Sequence, residues 1–428
     1  MKTKTGIFFA VMLCLCNGLS AQHIEYNAHF TEKALRLNMY HGGTATEEFF
    51  SLKNMIQEPV YAGPHQTISP FLHGRYVIKM KSAGGKTIFS KAFNTLFEEW
   101  QDTELVNEGK RIFQESRFLP FPKEKVHIEI FQRDEALNLQ KCWEKDFDPG
   151  SDWYQTDYAD EYEFELIYGK DNPAEQLDIA IVAEGYTEEQ MDGFENDAHK
   201  FAKYVMKTPP FDEFDDVIAF RIVKAVSPES GCDLPGEGIW KQTVADAQFY
   251  TFGSERYLTT IAYHKLANVT AAVPHDQIVV LVNSEKYGGG GVFNHFSVVS
   301  AGNILSLRVF MHEFGHAFGG LADEYYTSST AYVNHPDVKY EPIEPNVTTL
   351  ADFHAKWEDM IHDTVPVPTP DTEKYKDVTG AFEGARYLPK AMYRPSRSCM
   401  MKSIDAEFCP VCQRILSGMV MYYGTCMD

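Results

Sequence analysis

Hydrophobic and polar positions alternate along much of the first third of the chain. Apolar residues fall partly at every second position in the segments 75–81 and 125–131, and Gly84-Gly85 marks a turn after the first segment. A period of two with glycine at the turns is typical of half-buried antiparallel strands. Residues 22–155 are therefore predicted to form a β-sandwich domain, which a polar and acidic linker follows.

The pattern changes at about residue 170, where continuous apolar runs replace the alternation. Three such runs predict buried strands: 177–183, 217–223 and 277–282. Apolar residues spaced three and four apart between Met191 and Val205 predict a helix, with Thr187 and Gln190 as its capping box. Strands that alternate with helices predict an α/β domain with a mostly parallel, twisted sheet over residues 170–428, and an α+β architecture for the whole chain.

The first 21 residues have the pattern of a secretory signal peptide. Lys2 and Lys4 precede a short apolar stretch, and small residues at 19–21 precede Gln22. An N-terminal membrane anchor is the alternative, but the stretch is shorter than the roughly 20 residues that a membrane span needs. We expect an exported chain without a membrane span, in the periplasm, on the cell surface or outside the cell.

The charge of the chain narrows its possible partners. The sequence has 39 Lys and Arg against 61 Asp and Glu, a formal net charge of −22. Such a balance repels phosphate backbones and anionic lipid surfaces, which excludes binding of nucleic acid or membrane by bulk electrostatics. No nucleic-acid partner is therefore expected.

The candidate chemistry lies in the run His312-Glu313-Phe314-Gly315-His316, an HExxH motif in a segment compatible with a helix. Positions four apart share a helix face, so both histidines can bind one zinc ion. Glu313 comes one residue later and is suited to act as a general base without being a metal ligand. The expected cofactor is one catalytic Zn²⁺.

A catalytic zinc has three protein ligands and an open position, so a third ligand is required. Gly319-Gly320 ends the helix and lets the chain turn back. The metzincin pattern HExxHxxGxxH would place a histidine at position 322, but Ala322 stands there, and Asp323 and Glu324 follow. Asp323 is the predicted third ligand, because the additional glycine absorbs one residue. The alternatives are Glu324 and two carboxylates further along the chain, Glu358 and Glu383.

Two flanking features fit such a site. The glycines at 288–291 predict a strand beside the helix whose exposed edge could hold a peptide by main-chain pairing, the alternative being a flexible hairpin turn. Ser398-Cys399-Met400-Met401 is similar to the methionine turn that lies beneath the zinc in metzincins, with Met401 as the methionine.

Taken together, these residues resemble the IgA metalloendopeptidases, a bacterial zinc peptidase family. The resemblance rests on residues 312–325, 399–401 and 408–412, with the glycines at 288–291 as further support. It covers roughly residues 172–428, and the first domain is similar to the extra N-terminal domain of some members. The resemblance implies a zinc-dependent endopeptidase with a metzincin-like fold.

The cysteines have three interpretations. In an exported chain, disulfides among Cys399, Cys409, Cys412 and Cys426 are favoured. A structural zinc bound by four thiolates is the first alternative, and free buried thiols are the second. Cys142 and Cys232 lie in different predicted domains and have no evident partners.

We therefore expect a secreted zinc endopeptidase that hydrolyses peptide bonds of extracellular proteins or glycoproteins. A zinc amidase acting on cell-wall peptides is one alternative. A binding protein with a degenerate site is another, and the intact Glu313 argues against it.

Overall fold

The structure is a computed structural model that describes residues 24–156, 162–327 and 337–424. The predicted signal peptide and Cys426 lie outside these residues. Among the described residues, no helix is both long enough and apolar enough to cross a membrane.

The N-terminal part consists of two antiparallel sheets, as the alternation predicts. Their inner faces share one hydrophobic cluster, which contains Leu35 of one sheet and Ile128 of the other. The strand order is β2-β1-β5 in the three-stranded sheet and β4-β3-β6-β7 in the four-stranded sheet. The strands are β1 (Phe30–Gly43), β2 (Glu48–Glu58), β3 (Tyr76–Ser82), β4 (Thr87–Phe93), β5 (Arg111–Pro122), β6 (Val126–Arg133) and β7 (Leu139–Phe147).

Two short helices accompany these sheets, α1 (Tyr26–His29) and α2 (Leu96–Gln101). Thr95 begins α2, because its hydroxyl accepts a hydrogen bond from the backbone N–H of Glu98. The apolar side of α2, including Trp100, packs into a cluster that also contains strands of the following sheet. The N-terminal part therefore contributes directly to the core around the larger sheet.

The larger sheet has six strands in the order β14-β15-β13-β9-β10-β8. Its four inner strands are parallel, while β8 and β14 run antiparallel at the two edges. The prediction of a mostly parallel sheet is confirmed. The strands are β8 (Phe164–Tyr168), β9 (Leu177–Glu184), β10 (Ile218–Val223), β13 (Gln277–Val282), β14 (Gly289–Val292) and β15 (Phe296–Ser300). Two small antiparallel pairs are β11 (Ala247–Gln248) with β12 (Thr259–Thr260), and β16 (Phe382–Ala385) with β17 (Leu388–Arg394).

Helices cover both faces of this sheet. They are α3 (Met191–Val205), α4 (Tyr263–Val269), α5 (Ser306–Ala317) and α6 (Pro410–Gly424). The predicted α3 and its capping box are confirmed. Phe310 and Phe314 of α5 pack in one cluster with residues of α3 and α6. The helix begins later than Asn303, whose side chain accepts a hydrogen bond from Leu305 N at 3.0 Å and forms a turn before it.

Candidate metal centre

The two histidines of α5 lie one turn apart and converge, with their Nε2 atoms 3.2 Å from each other. Each ring donates its Nδ1–H to a backbone carbonyl: His312 to Met400 O at 3.0 Å, and His316 to Leu321 O at 2.6 Å. Because a carbonyl only accepts, both Nδ1 atoms carry the proton. When the rings are neutral, both Nε2 atoms keep a lone pair that could bind a metal.

Asp323 reaches these nitrogens because the chain reverses after α5. Gly320 has φ of 58°, a left-handed conformation that favours glycine. Asp323 Oδ1 then lies 3.1 Å from His312 Nε2 and 3.4 Å from His316 Nε2. This oxygen is buried and makes no hydrogen bond. The other oxygen of Asp323 accepts a hydrogen bond from the Tyr387 hydroxyl.

The spacing of these three atoms fits a metal ion. A tetrahedral zinc with bonds of about 2.0–2.1 Å places neighbouring ligand atoms roughly 3.3 Å apart. The three observed separations are 3.1, 3.2 and 3.4 Å. With both rings neutral, the buried Asp323 Oδ1 would face two lone pairs, which is costly unless a cation lies between them. The donor set of two imidazoles and a carboxylate suits zinc.

The electrostatics of the site also favour positive charge. Burial lowers the pKa of His316, but attraction to Asp323 outweighs burial and raises that pKa to about 9. Burial would raise the pKa of Asp323, and the two histidines instead hold it well below its usual range. A divalent cation between these three residues would compensate the negative charge of Asp323 in the same way.

Glu313 lies in the cleft beside the histidines. Burial raises its pKa above the usual value, as is common for a general base. Strand β14 packs directly on this residue, since a Cβ at Gly289 would lie 2.8 Å from Glu313 Cγ and one at Gly291 would lie 2.1 Å from Glu313 O. The glycines are therefore required by close packing of the strand against the helix.

The edge of β14 is less exposed than the sequence predicts. Gly289 N donates to Arg256 O at 3.3 Å, and Gly289 O accepts from Leu258 N at 3.2 Å. The strand prediction is correct, but the neighbouring segment already pairs with the edge at Gly289.

Met401 lies beneath α5. A Cβ at Gly315 would be 2.6 Å from Met401 Sδ, and the Met401 side chain is buried. Glu324 N donates to Met401 O at 2.8 Å, which attaches this turn to the segment that carries Asp323.

The other carboxylates considered as third ligands lie elsewhere. Glu358 is exposed and 3.3 Å from His354, and Glu383 pairs with Lys390 at 2.7 Å. The carboxylate of Glu324 is buried and accepts a hydrogen bond from Asn346 at 3.1 Å. Of these candidates, the structure places only Asp323 with both histidines.

A cleft of about 540 Å³ surrounds the site. One wall comes from the N-terminal part, with Glu98 and Glu99 of α2 and Asp102 directly after it. Burial raises the pKa of Glu99 to about 7 and that of Asp102 to about 6. Sequence reasoning missed this wall, because no local motif links α2 to a helix more than two hundred residues later.

Sequence reasoning also missed Tyr387. It lies in the turn between β16 and β17 with φ of 63°, and Tyr387 N donates to Tyr325 O at 3.0 Å. Arg386 N donates to Asp323 O at 2.9 Å. The turn thus packs along the segment after the histidines, and its sequence carries no signal of that contact.

Two histidines and a carboxylate around one point, with a helical glutamate beside them in a cleft, are typical of metallopeptidases. The family model for IgA Peptidase M64 matches residues 167–377 and 371–420, and the model for the Peptidase M64 N-terminus matches residues 25–144. The chain belongs to the IgA peptidase M64 family and is a metalloendopeptidase. The resemblance that the sequence motifs indicate is thereby confirmed. A comparison with curated proteins gives no match.

Proposed function

We propose that the protein is an exported zinc endopeptidase that hydrolyses peptide bonds of extracellular proteins or glycoproteins. The proposal rests on the positions of three atoms: His312 Nε2, His316 Nε2 and Asp323 Oδ1 lie 3.1–3.4 Å from one another. These three atoms are the proposed zinc ligands. When bound, zinc lowers the pKa of a coordinated water toward neutrality and polarises a carbonyl.

Glu313 is the proposed general base. It accepts a proton from the attacking water and then passes that proton to the leaving amine of the substrate. Its raised pKa brings it closer to the pH at which it must both accept and release the proton.

The surrounding residues position the ligands. Carbonyls of Met400 and Leu321 fix the two imidazole rings, and the Tyr387 hydroxyl holds the free oxygen of Asp323. Met401 beneath α5 supports a metzincin-like arrangement, in which Asp323 takes the place of the third histidine.

The proposed substrate is a polypeptide, which lies in the cleft between β14 and the wall formed by α2. The cleft has a volume of about 540 Å³ and is lined by residues of both segments. Export is proposed from the N-terminal pattern, and N-terminal sequencing of the protein recovered from outside the cytoplasm should begin at Gln22.

The test is Glu313→Gln, which removes the carboxylate's basicity but keeps its shape. The variant should bind zinc, fold normally and lose proteolysis by roughly 10²-fold or more. Glu358→Gln is the matched control, because Glu358 is exposed and lies outside the cleft. Near-normal proteolysis by Glu313→Gln would overturn the proposed role. Cleavage of cell-wall peptides but of no protein would instead indicate the amidase.

A further inference from the structure

A second group of side chains with the chemistry of metal ligands includes Glu324, the residue after Asp323, and lies outside the lining of the cleft. Cys399, Cys409, Cys412 and Glu324 are all buried. Their candidate ligand atoms lie within 4.8 Å of one another. The three thiols are free in the structure, so the disulfides favoured by the sequence are not formed among them.

We propose that these four side chains bind a second, structural Zn²⁺. The sulfur spacing supports this assignment: Cys399 Sγ lies 3.7 Å from Cys412 Sγ. A tetrahedral zinc with bonds of about 2.3 Å to sulfur places two thiolates roughly 3.8 Å apart. A disulfide would need about 2.05 Å. Cys412 Sγ and Glu324 Oε1 are 3.3 Å apart, which is also close to the separation of a sulfur and an oxygen ligand around a tetrahedral zinc.

Glu324 provides an independent indication of a cation. Its side chain is fully buried, and Oε1 accepts hydrogen bonds from Asn346 Nδ2 and Cys412 Sγ. Its second oxygen, Oε2, is buried without a hydrogen bond. A buried carboxylate oxygen without a partner is unfavourable unless a cation compensates it. A zinc ion among the three sulfurs would supply that cation.

The nature of the ligands defines the class of site. Cys409 and Cys412 form a CxxC at the start of α6, and three thiolates select a soft, tetrahedral metal such as zinc. Four protein ligands in a buried cluster leave no open position, which distinguishes a structural zinc from a catalytic one.

This metal would join the segments that build the catalytic site. Glu324 directly follows Asp323, and its N–H donates to Met401 O at 2.8 Å. Cys399 directly precedes Met400, whose carbonyl accepts from His312. The proposed zinc therefore fixes the segment carrying Asp323 to the turn beneath α5 and to α6. Its loss should weaken metal binding at the histidines as well.

The inference does not rest on the proposed function, and X-ray absorption at the zinc edge with metal analysis tests it. Wild-type protein should hold about two zinc ions per chain and show sulfur neighbours at roughly 2.3 Å. His312→Ala/His316→Ala should keep about one zinc with an enriched sulfur signal. That result would support the structural site even if the protein proved to have no peptidase activity.

Variants at the cysteines complete the test. Cys399→Ser/Cys412→Ser should lose the sulfur signal, whereas Cys232→Ser should retain it, because Cys232 is a buried thiol outside the cluster. If the double variant does not fold, the wild-type spectrum still decides. Wild-type protein without sulfur neighbours at zinc, or with a disulfide among these cysteines in intact-mass analysis under non-reducing conditions, would overturn the inference.

Discussion

Replacing Gly291 by alanine should separate the strand β14 from the helix that carries the general base. A Cβ at this position would lie 2.1 Å from the carbonyl oxygen of Glu313, whereas real Cβ atoms stay at least 3.0 Å from such neighbours. The strand and the helix must therefore move apart by about 0.9 Å. The obstacle is backbone on both sides, so rotation of a side chain cannot relieve it.

The expected cost follows from this displacement. Overpacking of a well-packed contact typically lowers the free energy of unfolding by about 1–3 kcal/mol. A misplacement of about 1 Å in catalytic geometry costs about 10²-fold in rate. Gly291→Ala should therefore remain folded, with a lower melting temperature, and lose roughly 10²-fold in kcat/KM on a protein substrate. Zinc should remain bound, because the three atoms nearest to a Cβ at Gly291 all belong to Glu313, which is not a ligand.

The assay combines thermal unfolding, metal content and kcat/KM for each variant. Gly193→Ala is the control, since a Cβ there has no neighbour within 4 Å and the residue lies inside α3. Alanine at a helical position should stabilise the protein by up to about 1 kcal/mol and leave kcat/KM unchanged. Wild-type kcat/KM in Gly291→Ala would refute the argument that this close contact positions Glu313.

Three further predictions concern the ligands and the core. Asp323→Ala should weaken zinc binding in competition with a chelator, whereas Glu383→Ala should bind zinc as wild type does. A wild-type zinc affinity in Asp323→Ala would exclude Asp323 as a ligand. Tyr387→Phe removes a hydrogen bond to Asp323 and should lower zinc affinity by about 10–100-fold; an unchanged affinity would show that Tyr387 does not support this ligand. Burial lowers the pKa of His41 from 6.5 to about 3, so between these values the unfolded chain binds a proton that the folded protein excludes. As the pH is lowered from 6.5 towards 3, His41 should therefore lower the free energy of unfolding by about 1.4 kcal/mol per pH unit. Denaturant titrations at several pH values should show that His41→Gln lacks this contribution. An equal pH dependence of the unfolding free energy in wild type and His41→Gln would contradict the assignment.

Sequence reasoning succeeded where a local pattern determines the structure. The period of α3, its capping box and the apolar run of β13 depend on neighbours a few residues away, and the structure reproduces them. The start of α5 at Ser306 has no such clear local signal, because the side chain of Asn303 forms a turn before the helix.

The parts of the site that sequence reasoning missed depend on contacts between distant segments. Tyr387 reaches Asp323 through a turn with left-handed residues, and Glu99 reaches the cleft because α2 packs into the core of the larger sheet. Neither contact has a periodic or motif signal. The cysteines were visible in the sequence, but only the fold brings Glu324 to them and leaves one of its oxygens without a partner.

An anomalous-scattering map of crystals at the zinc absorption edge would locate the metal directly. We expect a peak within about 2.0–2.2 Å of His312 Nε2, His316 Nε2 and Asp323 Oδ1, with Glu313 outside the ligand set. No peak between the two histidines, or a peak there whose carboxylate ligand comes from another residue, would contradict this expectation.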